Sequence, residues 1–209
     1  MAKYEVNDGV GIIPEGTVKI DSAAFKQRED LISIVIPDSV TTIDGDAFWH
    51  CTNLKNVVIP DSVTEIEGFC LWGEPTGAFY CCTSLTNIVL PSSLKKLGDY
   101  SFSWCSGLTN VILPNSLIEI GNGAFENCTM LKSITIPDSV TKIGWRVFDG
   151  CKKLSRIYVS KQHKKRIKEL LGWPLAFIVV SPSDLYIGIV LKGYLMRICA
   201  ACCRAIGLD

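Results

Sequence analysis

The sequence predicts a repeat solenoid of about six coils, mainly β with short helical and irregular segments. A 23-residue unit, Ile-Pro-Asp-Ser-Val-x-x-Ile-Gly-x-x-Ala-Phe-x-x-Cys-x-x-Leu-x-x-Ile-x, recurs from Ile13 to about Val159. Phe25, Phe48, Phe79, Phe102, Phe125 and Phe148 lie 23, 31, 23, 23 and 23 residues apart, so one register holds with a single 8-residue insertion. Pro14, Pro37, Pro60, Pro91, Pro114 and Pro137 keep the same spacing, as do Leu31, Leu54, Leu85, Leu108, Leu131 and Leu154.

A unit this short cannot enclose a core of its own, so its apolar ladders must be covered by the next coil. Within Leu54-Lys55-Asn56-Val57-Val58-Ile59 the pattern sends Leu54, Val57 and Ile59 inward and Lys55, Asn56 and Val58 outward, the alternation of a short strand. Equivalent strands then align in a parallel sheet. The proline after each strand ends it, lacking the N–H that the ladder needs. Asp-Ser or a similar polar pair makes the turn.

Cys51, Cys82, Cys105, Cys128 and Cys151 share one repeat position, three residues after each Phe from the second onward. That slot suits a small apolar side chain, and we read it as a ladder of free, buried thiols. In the first copy Arg28 holds the cysteine slot and Thr17 the valine slot, as suits a terminal coil with one face towards water. Formal net charge is zero, but residues 1–151 carry 18 acidic and 10 basic side chains and residues 152–209 carry 3 and 11. The coils are acidic and the C-terminal end is basic.

The units Ile36-Pro37-Asp38-Ser39-Val40 through Ala47-Phe48-Trp49-His50-Cys51, and Ile136-Pro137-Asp138-Ser139-Val140 through Phe148-Asp149-Gly150-Cys151, resemble the BspA-like class of leucine-rich repeats over residues 13–160. The resemblance implies a right-handed leucine-rich repeat solenoid with a C-terminal cap, a protein-binding or adhesion role, and export to a cell surface. No apolar run follows the initial Met-Ala-Lys-Tyr-Glu, so no signal peptide is expected from this sequence, and the compartment stays open.

We divide the chain into a solenoid over 1–160, a helix–strand cap over 161–182 and an amphipathic tail over 183–209. Ser160 is placed to cap a helix from about Lys161 to Leu171, ended by Gly172 and Pro174, and Leu175 to Val180 reads as a strand or buried extended segment shielding the open end. Lys161, Lys164, Lys165, Arg166 and Lys168 form either a solvated helix face or a contact for anionic lipid or nucleic acid; no nucleic acid is expected. From Leu185 to Leu208 the chain is apolar, with Lys192, Arg197 and Arg204 on one side of a helical wheel. This suits an amphipathic helix better than a membrane span, and it leaves three roles open: packing on the solenoid, self-association, or peripheral contact with a membrane.

Two surfaces are candidates for binding. The outward strand positions, on the concave face that the resemblance implies, form an apolar column of Val35, Val58, Val89, Ile112, Thr135 and Tyr158. Its neighbour is a polar column of Ser33, Asn56, Asn87, Asn110, Ser133 and Arg156. Such a stripe is a recognition surface, or β-branched residues simply suit strands, and both can hold. The insertion over residues 69–76 brings Phe69, Leu71 and Trp72, which either cover an edge of the coil or anchor a partner.

His50 and His163 are the two histidines, and neither sits in a sequence pattern that argues for a triad. Cys199-Ala200-Ala201-Cys202 lacks the second ligand pair that zinc needs, so no metal, no cofactor and no catalytic residue is expected. The partner implied is a protein or surface ligand. Alkylation of the native protein should spare Cys51, Cys82, Cys105, Cys128 and Cys151 and label cysteines outside the ladder; rapid labelling of the five would show that the slot is open.

Overall fold

In the computed structural model, which describes residues 4–71, 74–171 and 178–180, each repeat makes one coil with a strand before its proline and a two-residue strand after it. Val10–Ile12, Ser33–Val35, Asn56–Val58, Asn87–Val89 and Asn110–Val111 stack in parallel, with Glu5–Asn7 antiparallel at the edge. Lys19–Ile20, Thr42–Ile43, Glu65–Ile66, Lys96–Leu97, Glu119–Ile120 and Lys142–Ile143 form a second six-stranded sheet. Register places equal repeat positions side by side: Ser33 faces Asn56, Val35 faces Val58, and Asn87 faces both Asn56 and Asn110.

The single sheet expected for the outward strands is in fact two. Ser133–Thr135, Arg156–Val159 and Ile178–Val180 form their own parallel sheet, and no strand pairing joins Asn110–Val111 to Ser133–Thr135. The second sheet and the aromatic core pass this point unbroken, so the coils stay stacked while the outward ladder divides. Arg156–Val159 also meets Ile178–Val180, the extended segment expected to shield the open end.

Six fully buried phenylalanines form a continuous stack, with ring centroids 5.4, 4.9, 5.2, 5.6 and 5.9 Å apart from Phe25 to Phe148 and planes within 9° of parallel. Coil spacing dictates this geometry. Strands about 4.8 Å apart set equal slots at a spacing within the roughly 4.5–7 Å that offset-stacked rings favour. Tyr4 tops the stack, 5.4 Å from Phe25, and its hydroxyl donates to Asp21 Oδ2 (3.1 Å) while accepting the Asp21 N–H (3.2 Å). A tyrosine suits this end position because its ring is buried and its oxygen meets a polar rim.

Around the stack the backbone bonds run along the solenoid axis. The N–H of Phe25, Phe48, Phe79 and Phe102 donates to the carbonyl of Ala47, Ala78, Ser101 and Ala124 in the next coil. Two residues after each Phe the chain takes a left-handed conformation, at Gln27, His50, Cys81, Trp104, Asn127 and Gly150, with φ between 57° and 71°. For an L-residue this conformation costs about 1–2 kcal/mol. It aims the N–H along the axis: Gln27 donates to Trp49 O, His50 to Tyr80 O, Cys81 to Ser103 O, Trp104 to Glu126 O and Asn127 to Asp149 O. Close approach also requires glycine at Gly98, where a Cβ would collide with the backbone of Glu67 and Gly68.

The cysteine ladder adopts the free, buried form. Each thiol donates to the Phe carbonyl of the preceding coil: Cys51 to Phe25 O, Cys82 to Phe48 O, Cys105 to Phe79 O, Cys128 to Phe102 O and Cys151 to Phe125 O, at 2.9–3.2 Å. Burial pushes the Cys51 and Cys151 thiols up to about 12 and the other three well above their ordinary range, so all five stay protonated and unreactive at neutral pH. Arg28, in the same slot of the first coil, turns instead to Asp30 through two bonds of 2.8 Å.

The insertion takes a definite form, and one expectation changes. The insertion is a β-hairpin in which Cys70–Leu71 pairs antiparallel with Glu74–Pro75, closed at its base by Phe69 and Thr76. Ser160 precedes a 3₁₀ turn (Lys161–His163) and a helix (Lys164–Leu171) but does not cap them: its hydroxyl donates to Asp138 Oδ1 at 2.7 Å. A hydroxyl bond to a carboxylate is charge-assisted, and it holds the Ser160 side chain on the preceding coil. Ile167 is fully buried and Arg166 Nη2 donates to Asp138 O (2.8 Å) and to Val140 O, which seats the helix on the last repeat. The tail proposed over 183–209 lies outside the described residues.

Phe102→Ala should destabilise the protein by about 3–5 kcal/mol, because neighbours on both sides of the ring are held by their own coils and cannot close the gap. Chemical denaturation measures this, and a loss under about 1 kcal/mol would mean that the stack is not a buried core.

Candidate binding surface

Alternation along each outward strand turns one residue in and the next out, so the pairing register alone builds two surface columns. In the apolar column Ile12, Val35, Val58, Val89 and Ile112 are 45, 70, 65, 59 and 75% exposed, a fraction far above that of the inward neighbours Ile34, Val57, Ile88 and Val111. Asn56, Asn87 and Asn110 stand beside it, exposed and in register with one another. Thr135 and Tyr158 face each other in the separate three-stranded sheet, so Tyr158 is not joined by strand pairing to Val35, Val58 and Val89.

Ile12 and Val10 belong to these columns although the repeat pattern does not reach them: Ile12 pairs with Val35 and Val10 with Ser33. The signal for them is a hairpin rather than a repeat. Asn7 pairs with Val10 across a two-residue turn, and Asp8 and Gly9 both have positive φ, 51° and 80°. This is the conformation that Asp-Gly favours between antiparallel strands. The hairpin covers the first edge of the sheet and lengthens the apolar column by one coil.

The inserted hairpin stands elsewhere. It leaves the coil after the second-sheet strand Glu65–Ile66, and Asp46 N–H donates to Thr76 O at 3.1 Å. Phe69 is 42% exposed, and its ring edge lies 3.4 Å from where a Cβ on Gly45 would stand, a position that Thr76 O crowds more closely. It therefore covers part of the preceding coil and still shows a large apolar side to solvent. Cys70 is exposed beside it. Trp72 lies outside the described residues, and Leu71 contributes its backbone to the hairpin.

A third feature joins the aromatic residues just after the Phe stack. Trp49 and Tyr80 stack at 6.0 Å, His50 lies 3.8 Å from Trp49, and Lys26 Nζ sits 4.6 Å above the Trp49 ring while paired to Asp46 at 2.9 Å. Partial burial, with the Lys26 charge adding to it, lowers the pKa of His50. The faces of Trp49 are directed at neighbouring coils by the stacking, so this cluster reads as a brace between repeats.

The cap brings together Ser160, His163 and Asp138. Ser160 Oγ and Asp138 Oδ1 approach the same ring nitrogen, His163 Nδ1, at 3.0 and 2.8 Å. A catalytic relay needs the serine and the carboxylate on opposite ring nitrogens, and here they share one. Although partial burial pushes the Asp138 carboxyl up, hydrogen bonds from Ser160 and Gln162 and the nearby His163 outweigh it and leave its pKa lowered. The trio fastens the cap to the last coil.

Residues 12–74 and 75–170 match the BspA type leucine rich repeat region, in six copies. Among solved structures, a leucine-rich repeat protein of T. pallidum is 27% identical with a TM-score of 0.57, over 74% of this chain and 67% of that one. A leucine-rich repeat protein of Eubacterium ventriosum is 25% identical with a TM-score of 0.49, over 71% of this chain and 50% of that one. A leucine rich cell surface protein of Faecalibacterium prausnitzii is 23% identical with a TM-score of 0.46, over 71% and 52%. The chain thus spans about two thirds of the first and half of the other two. No curated protein matches it.

Proposed function

We propose, since the chain belongs to the BspA-type leucine-rich repeat family, that it is a binding scaffold whose outward sheet face holds a protein or surface ligand by shape and patch recognition, without catalysis. The observation that carries this reading is the run of five exposed aliphatic side chains, Ile12 to Ile112, held in register beside a row of asparagines. Contiguous apolar surface of this kind is uncommon on a soluble protein unless something covers it. A rigid scaffold lowers the cost of covering it, because the strands fix the spacing of the column before a partner arrives.

The amides supply direction to a contact that is otherwise only apolar. Asn56, Asn87 and Asn110 each present a donor and an acceptor beside the column, so a partner that leaves them unpaired loses affinity. Phe69, on the inserted hairpin, is a separate anchor for a partner large enough to reach around the coil.

Val58→Glu, Val89→Glu and Ile112→Glu should each weaken partner binding at least tenfold while leaving the thermal unfolding midpoint nearly unchanged, because each residue is more than half exposed. Affinity capture with the native chain and the three variants, followed by titration of the captured ligand, measures this. Undiminished binding by all three would remove the sheet face from consideration.

A further inference from the structure

Of the nine lysines and arginines between residues 13 and 151, six make ion pairs within the coils. Lys19 pairs with Asp44 (2.8 Å), Lys26 with Asp46 (2.9 Å), Lys96 with Glu67 (3.0 Å), Lys142 with Glu119 (3.3 Å) and Arg146 with Glu126 (2.7 Å). Between residues 152 and 165 the opposite holds. Lys152, Lys153, Arg156, Lys161 and Lys165 are exposed and Lys164 half-buried, and none makes an ion pair with a described residue. The carboxylate nearest the cap, Asp138, is occupied by Ser160, Gln162 and His163, and Glu169 is the single acid between residues 161 and 171. Six uncompensated charges at one end repel one another, a cost that an anionic partner would remove.

We infer that the C-terminal end is a docking surface for an anionic lipid bilayer, with Lys161, Lys164 and Lys165 of the cap as the charges that meet the headgroups. Two features favour a bilayer over a nucleic acid. The patch lacks the interleaved aromatic rings on which bases stack: the described residues from 152 to 171 include one aromatic side chain besides His163, Tyr158. The sequence that follows, from Leu185 to Leu208, contains no acid and carries Lys192, Arg197 and Arg204 against an otherwise largely apolar run. Basic charge and apolar side chains together are the two signals that stable attachment to a bilayer surface requires.

The charge division also sets the orientation. Residues 1–151 carry 18 acids against 10 bases, so an anionic surface repels the coils while it attracts the C-terminal end, where residues 152–209 carry 11 bases against 3 acids. The solenoid then stands end-on, with the column from Ile12 to Ile112 directed away along its length. This inference is independent of what the sheet face binds.

Sedimentation of the full chain with vesicles tests it, using phosphatidylcholine alone and phosphatidylcholine mixed with phosphatidylglycerol at low and high salt. The chain should pellet with the mixed vesicles at low salt, and neither with phosphatidylcholine alone nor at high salt. Each lysine near an anionic surface contributes roughly fivefold, so the triple variant Lys161→Gln, Lys164→Gln, Lys165→Gln should bind at least about 100-fold more weakly. Its control is Lys55→Gln, Lys95→Gln, Lys132→Gln, the same loss of charge from the coils, which should leave sedimentation nearly intact. Circular dichroism and the unfolding midpoint verify that both variants fold. No sedimentation of the native chain, equal weakening by the two triples, or binding to a DNA duplex but not to mixed vesicles would each overturn the assignment.

Discussion

Every slot of this solenoid must accept the same slot of the coil beside it, and nearly every other feature of the protein is a consequence. Coils spaced by one strand separation leave no room for side chains that differ much in size along a column, so a large ring calls for a large ring and a thiol for a thiol. The Phe carbonyl shows the constraint most closely. It accepts the N–H of the residue three positions on and, from the next coil, the cysteine thiol. One carbonyl thereby ties the turn within a coil to the stacking between coils. A serine in the thiol slot would retain a donor but lose apolar volume, and an alanine would leave the carbonyl with one partner fewer.

The same constraint explains what was legible in the sequence. Phe, Leu and Cys columns could be read because burial against a copy of oneself tolerates little variation, and the pairing of Val35 with Val58 and Asn56 with Asn87 follows once the period is known. The family match over residues 12–170 agrees with the extent read from the repeat. What escaped was determined by contacts that carry no period. The Glu5–Asn7 strand and Tyr4 belong to a hairpin whose only local mark is Asp8-Gly9. Ser160 stands where a cap residue should, yet its partner is Asp138, 22 residues earlier, a distance at which local cap rules are silent. The break between Asn110–Val111 and Ser133–Thr135 falls within a run of faithful repeats, and we have no physical account of it.

Fidelity and departure divide the protein into parts with different roles. The faithful positions are inward and build a scaffold; the outward positions are less constrained by packing. The aliphatic column is constant over five exposed positions, whereas the second-sheet column of Lys19, Thr42, Glu65, Lys96, Glu119 and Lys142 alternates in character and includes pairs such as Lys96–Glu67 and Lys142–Glu119. One face is satisfied within the molecule and the other is not. The exposed aliphatic face and the unpaired basic end lie on different parts of the chain, so the two proposed contacts do not compete for one surface.

Native-state hydrogen exchange of the phenylalanine amides tests the central claim most directly, because these N–H groups cross from one coil to the next. If coil-to-coil register holds the fold together, the amides of Phe48, Phe79 and Phe102 exchange only through global unfolding, with protection that matches the stability from denaturation and falls together when any one coil is weakened. Exchange of these amides as fast as that of the exposed turn amides, or protection confined to single coils, would contradict the account.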